Sequence, residues 1–255
     1  MDRREFLSAG AATVAALSVS EKGLAQTSVA PVPMPELTLS AYSRNLQWLR
    51  TPQELAKGVI DIGLSRVDLT VSRGGHVEPA RAASDLPAFI DGLKRAGVST
   101  TCITTEITDA VGAEAIIKAA AASGVTHYVW GGLRYDETKP YQPQLDALKG
   151  GVEALASLNK KYRIKGLYQP ARGAGSVGST FLDILSVMRG LDPRYIGVHY
   201  NTANLLQATP ETTTAQLRLG QDYIGGVAIT DAQIKLVLPV WEEGPYKGDA
   251  MLLAD

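Results

Sequence analysis

From residue 37 onward, short apolar or β-branched runs alternate with segments of helical character. That alternation is the pattern of parallel βα units, in which each strand is followed by a helix that covers the sheet. Seven strand-like runs can be counted, at residues 37–41, 66–71, 98–104, 126–130, 162–169, 195–200 and 223–230. The helices between them carry their own boundary signals. Thr51-Pro52-Gln53-Glu54 supplies an N-cap, a proline at the first helical position and an early acid for a helix ending near Gly63. Ser84 or Asp85 caps a helix that runs through Arg95 and stops at Gly97. Further helices are predicted over 113–123, ended by Gly124, and over 144–161, 180–189 and 213–219.

This repeat predicts an α/β fold, a (β/α)8-type TIM barrel over residues 37–255. An open doubly wound sheet would carry a glycine-rich phosphate fingerprint after its first strand, and none is present. The eighth unit is the weak point. A complete barrel takes about 250 residues, and only residues 250–254 remain as a short apolar run for a last strand. Either that run closes the barrel without a final helix, or the barrel is open and incomplete at the eighth βα unit.

The first 36 residues do not belong to this repeat. Arg3 and Arg4 precede Phe6, Leu7 and a weakly apolar, alanine-rich stretch over 9–19, the grammar of a twin-arginine export signal. The stretch falls short of the about 20 residues that span a bilayer. Gly23-Leu24-Ala25 offers small residues for a peptidase, so residues 1–25 are expected to be a cleaved signal and 26–36, with Pro31, Pro33 and Pro35, an extended linker. The protein is then a client of the twin-arginine export machinery, periplasmic or secreted, with no stable membrane insertion after cleavage.

Charge narrows the partners. With 25 basic and 26 acidic residues, a net charge of -1 and no basic run, nucleic acid is excluded as a partner. Cys102 is the sole cysteine, so no internal disulfide forms, and its apolar-leaning surroundings predict a buried thiol rather than a nucleophile.

Several segments then fall in a specific order. They are Val67-Asp68-Leu69-Thr70-Val71 with Gly74-Gly75-His76-Val77-Glu78-Pro79, Ile107-Thr108-Asp109, Gly132-Leu133-Arg134-Tyr135-Asp136, Tyr168-Gln169, Leu191-Asp192-Pro193 and Ile196-Gly197. In this order the chain resembles secreted bacterial members of the sugar phosphate isomerase/epimerase family, the xylose isomerase-like TIM barrels. The resemblance implies a small-molecule sugar as ligand and a divalent metal, Mg, Mn or Zn, at the C-terminal mouth of the barrel. There it would stabilise the enediolate formed when a carboxylate removes a proton beside a carbonyl. Its ligands would be carboxylates and imidazoles at strand ends.

At those positions the chain departs from the family. Where the fifth strand of its relatives reads Tyr-Gln-Asn-His-Ser-Gly, this chain has Tyr168-Gln169-Pro170-Ala171-Arg172-Gly173. An aspartate and a histidine after the sixth strand are replaced by Asn201 and Asn204. A His-Leu-Lys-Asp pattern at the seventh is Ala228-Ile229-Thr230-Asp231, and the glutamate of the eighth has no clear counterpart. Neutral amides bind metal weakly but hydrogen-bond sugar hydroxyls well, so no metal ligand is assigned.

The candidate catalytic residues are therefore Glu106 and Asp231. Candidate sugar-binding residues are His76, Arg134, Gln169, Arg172, Asn201 and Asn204. Each has a plainer alternative. His76 can be a solvated loop residue, Asp109 a helix cap, and Arg134 the partner of Asp136 or Glu137. Trp130, Tyr168 and Tyr200 can stack on a sugar or pack in the core, while His127 and His199 are expected in core or interstrand positions. Glu242 or Glu243 could fold back as a substitute carboxylate. Two functions remain open: a sugar isomerase or epimerase acting by proton transfer next to a carbonyl, and a non-catalytic carbohydrate-binding relative. A truncated barrel with exposed strand edges is the third possibility.

Overall fold

The computed structural model describes residues 38–173, 175–202 and 213–229, together with two short strands, Leu236–Val237 and Leu253–Ala254. The expected signal and linker, residues 1–36, lie outside the described residues, as do Asn204, Asp231, Glu242 and Glu243. No described helix is long and apolar enough to cross a membrane.

Seven parallel strands form one sheet in strict chain order. They are β1 (Ala41–Tyr42), β2 (Arg66–Val71), β3 (Ser99–Thr105), β4 (His127–Gly131), β5 (Lys165–Gln169), β6 (Ile196–Asn201) and β7 (Ile224–Ala228). The helices are α1 (Pro52–Asp61), α2 (Ala82–Arg95), α3 (Glu114–Ala122), α4 (Tyr141–Tyr162), α5 (Leu182–Met188) and α6 (Thr213–Gly220). Among the described residues, one α-helix thus stands between each pair of consecutive strands. This is a TIM-barrel-like α/β fold, incomplete in that β1 and β7 do not pair with one another. The terminal apolar run does not close it: Leu253–Ala254 (β9) pairs antiparallel with Leu236–Val237 (β8), apart from the seven-stranded sheet.

Local signals account for the boundaries. Thr51 Oγ1 accepts from Glu54 N at 3.2 Å, while the Glu54 carboxylate accepts from Thr51 N at 3.0 Å, the reciprocal pair that opens α1. Helix α2 starts before the predicted Ser84 or Asp85, because Pro79 begins a 3-10 turn, Pro79–Arg81, that leads straight into Ala82. Strand β1 is shorter than predicted and shifted toward the C-terminus. The Ser43 hydroxyl accepts from Thr70 N at 2.8 Å in place of a backbone carbonyl, and the chain turns into a 3-10 helix, Ser43–Leu46.

Between sheet and helices lies a continuous core that includes Leu55, Leu69, Leu86, Ile103, Ile117 and Leu155. One polar group is built into it. Asn159 on α4 is fully buried, accepts from Tyr128 Oη at 2.8 Å and donates to the Tyr195 carbonyl at 2.8 Å. Gly166 makes room for that pair, since a Cβ there would lie 2.7 Å from Asn159 Nδ2 and 2.8 Å from Tyr128 Oη.

Candidate functional site on the inner face of the sheet

Side chains alternate across a strand, so the contact of Tyr128 and Gly166 with α4 fixes which face is which. Residues of their parity point to the helices. These include Trp130 and Tyr168, whose rings meet edge to face at 4.9 Å, and Tyr200, which meets Phe181 at 5.5 Å. All three aromatics are buried core residues.

The opposite parity forms the inner face. Backbone register carries one row of it across five strands, Tyr42 to Asp68 to Cys102 to His127 to Lys165. Barrel interiors are ordinarily filled with bulky branched apolar side chains. This row is polar or titratable throughout. A second row, Thr70 to Thr104 to Val129 to Leu167 to Gly197, is mixed.

Toward the C-terminal ends of β5 and β6 stand Gln169, His199 and Asn201. Gln169 Oε1 lies 3.4 Å from His199 Nδ1, and Asn201 is buried two residues beyond His199 on the same face. Burial pushes the His199 imidazole down to about 4, so it is neutral at neutral pH. The three together offer uncharged donors and acceptors, the chemistry that suits hydroxyl groups.

Strands β1–β3 carry the opposite character. Asp68 is 9% exposed, and burial raises its carboxyl to about 7, offset in part by Thr104. Thr104 Oγ1 reaches both carboxylate oxygens, at 3.0 and 2.9 Å. Burial, and secondarily the Asp68 charge, push up both the Tyr42 phenol and the Cys102 thiol, the thiol strongly. Lys165, half-buried at the start of β5, has its amine pushed down by burial alone.

The residues singled out from the sequence are scattered. Gln169 and Asn201 both lie on the inner face, and His199, two residues before Asn201 on β6, contacts Gln169. Glu106 follows β3 as an exposed residue paired with Arg73 at 3.4 Å. His76 Nε2 stands 3.0 Å from the Leu49 carbonyl and its ring meets Phe89 edge-on at 5.8 Å, which holds the imidazole against the β1–α1 connection and α2. Burial lowers its pKa. Arg134 reaches Ser176 Oγ at 3.4 Å, while Asp136 pairs with Lys139 at 2.7 Å. Ser176 Oγ in turn donates to the Arg172 carbonyl at 3.1 Å, so both exposed arginines belong to one pair of tied loops. Asp109 closes a turn by accepting from Val111 N at 2.7 Å. A mainly apolar cavity of about 170 Å³ lined by Thr108, Leu133, Leu148 and Val152 borders α4. Sequence reasoning missed Asp68, Thr104 and Tyr42; the available signal was a carboxylate inside the apolar run Val67–Val71.

Among the described residues, the donor set does not fit a hard divalent cation. Such ions take several carboxylate or imidazole ligands, and among the described residues no three His, Cys, Asp or Glu side chains converge. The strand ends of β5 and β6 present amides and one imidazole.

Seven parallel strands alternating with helices, with polar side chains on the inner face of the sheet, make this a TIM-barrel-like α/β protein. Residues 109–245, more than half the chain, match the xylose isomerase-like TIM barrel family, and the protein belongs to that family. The fold is similar to that of the 3-keto-D-glucoside 4-epimerase of E. coli, at 12% identity and a TM-score of 0.61 over 77% of this chain and 80% of that one. It is similar to a D-tagatose 3-epimerase-like protein, at 14% identity and 0.60 over 76% of each chain. A xylose isomerase-like TIM barrel protein from Mycobacterium smegmatis, solved in complex with magnesium, matches at 15% identity and 0.56, over 85% of this chain and 80% of that one. No curated protein matches the chain.

Proposed function

We propose that this protein is an isomerase/epimerase-like member of its family that binds a carbohydrate or keto-sugar in the periplasm, at the inner face near the ends of β5 and β6. The observation that carries the reading is the neutral group Gln169, His199 and Asn201 on adjacent strands, in a family whose solved relatives include sugar epimerases. We further propose that the family's metal site is degenerate here, since amides stand where its ligands are expected, and that sugar binding needs no metal. His76, Arg134 and Arg172 lie on loops outside this group, and Glu106 is bound in an exposed ion pair, so the inner-face side chains take precedence over them.

Export is supported by Arg3 and Arg4 ahead of an apolar stretch. Replacing both arginines with lysine is expected to hold the protein in the cytoplasm.

The binding reading is tested by thermal unfolding of the full chain with D-tagatose and with 3-keto-D-glucoside, in chelator. A ligand that binds only the folded state raises the melting temperature by mass action, and Asn201→Ala should abolish the rise. No shift with either sugar would overturn it.

A further inference from the structure

The strands facing the amide group across the sheet carry a second arrangement with its own chemistry. Asp68 is an acid on the inner face of a strand whose alternate residues, Val67, Leu69 and Val71, are fully buried in the core. Its register partner on one side is Tyr42, the last residue of β1 and 37% exposed; on the other side stands Cys102, with Thr104 two residues further. The carboxyl therefore sits one strand away from solvent, with the Tyr42 ring beside it. Thr104 contacts both carboxylate oxygens. A side chain held in one orientation by a neighbouring hydroxyl is positioned rather than merely tolerated.

We propose that Asp68, oriented by Thr104 and flanked by the phenol of Tyr42, is the proton-transfer site of this barrel, acting on a keto-sugar lodged on the inner face. The inference rests on the sugar-binding reading above. In the step, the Asp68 carboxylate removes the proton from the carbon next to the carbonyl. The C–H bond breaks, its electron pair becomes the new carbon–carbon π bond, and the carbonyl π pair moves to oxygen, where the Tyr42 O–H donates a hydrogen bond. Return of the proton from Asp68 to carbon restores the carbonyl, so no oxidant or reductant is consumed. Thr104 is a positioning residue.

The electrostatics agree with these roles. A base is most effective with a pKa near the working pH, and burial brings Asp68 to about 7. A donor to a developing oxyanion must keep its proton, and Tyr42 is pushed further from ionisation by burial and by Asp68. Cys102 stands beside this carboxyl, its thiol pushed well up so that it stays protonated, while Arg44 acts on the Tyr42 phenol.

The experiment is solvent exchange. The full chain is incubated with 3-keto-D-glucoside or D-tagatose in deuterium oxide, and deuterium at the carbons next to the carbonyl is followed by proton NMR. Exchange is expected above the buffer rate, rising with pH through about 7. It should fall by about a hundredfold or more in Asp68→Asn, while the sugar-induced rise in melting temperature persists. Thr104→Val should shift the midpoint of the pH profile upward, which a purely structural role would not do. Exchange in Asp68→Asn equal to that of the parent, or no exchange by a parent that binds the sugar, would overturn the proposal. Absence of any sugar-induced thermal shift would instead remove the binding reading on which it rests.

Discussion

The hydroxyl of Thr104 lies 3.0 and 2.9 Å from the two carboxylate oxygens of Asp68, joining β2 and β3 on the face turned away from the helices. A buried carboxyl held in this way couples stability to pH. An unperturbed aspartate titrates at about 3.9, and Asp68 in the folded chain at about 7. Between those values the folded state holds a proton that the unfolded state has released. The stability contributed by Asp68 is therefore fully present below about pH 4 and is lost as pH rises through about 7. Asp68→Asn should flatten that slope in urea unfolding across the range, by about 4 kcal/mol in all at about 1.4 kcal/mol per pKa unit. An unchanged slope would mean that another group carries it.

Gly166 should not tolerate a methyl group. Replacing glycine in a strand with alanine ordinarily removes unfolded-state freedom and stabilises. Here the added carbon would meet Asn159 Nδ2 at 2.7 Å and Tyr128 Oη at 2.8 Å. Gly166→Ala is expected to destabilise by about 1–3 kcal/mol, measured by denaturant unfolding.

Lys165 illustrates the reverse case. Its amine is depressed by burial, with no acid offsetting the shift. For a lysine with a lowered folded pKa, the penalty is present while the group is charged and vanishes once pH exceeds the unfolded pKa. Lys165→Met should therefore unfold at a higher temperature than the parent at neutral pH, with the difference shrinking in alkaline buffer.

If the amides at Gln169 and Asn201 define the strand-end site, added Mg²⁺, Mn²⁺ or Zn²⁺ should leave the melting temperature of the full chain unchanged and bind in less than stoichiometric amount. One tightly bound ion per chain with a clear stabilisation would show that residues beyond the described ones complete a metal site.

Much of the fold was legible because its signals are local. Thr51 and Glu54 announce α1 within four residues, and the alternation of runs gives the order of seven strands. The site was harder to read because inner and outer faces are both largely buried. In Val67-Asp68-Leu69-Thr70-Val71 every residue is buried, so no polar alternation marks Asp68 as facing inward. Trp130, Tyr168 and Tyr200 carry the opposite ambiguity, since a strand aromatic reads the same whichever layer it enters; the contact of Tyr128 with Asn159 on α4, 31 residues away in sequence, settles the parity. Gln169 and Asn201 were the legible part of the inner face, while His199, read from the sequence as a core or interstrand residue, stands between them in the site only through the packing of β5 on β6.

Strand β7 carries two consecutive glycines where it approaches β5 and β6. A Cβ at Gly225 would lie 2.5 Å from Leu167 Cδ2 and 3.0 Å from Lys165 Nζ, and one at Gly226 would lie 2.7 Å from His199 Cδ2. The later strand thus leaves space that earlier strands fill. Seen as a sequence in time, assembly acquires a direction: during synthesis β7 has a surface to settle on only after β5 and β6 are in place.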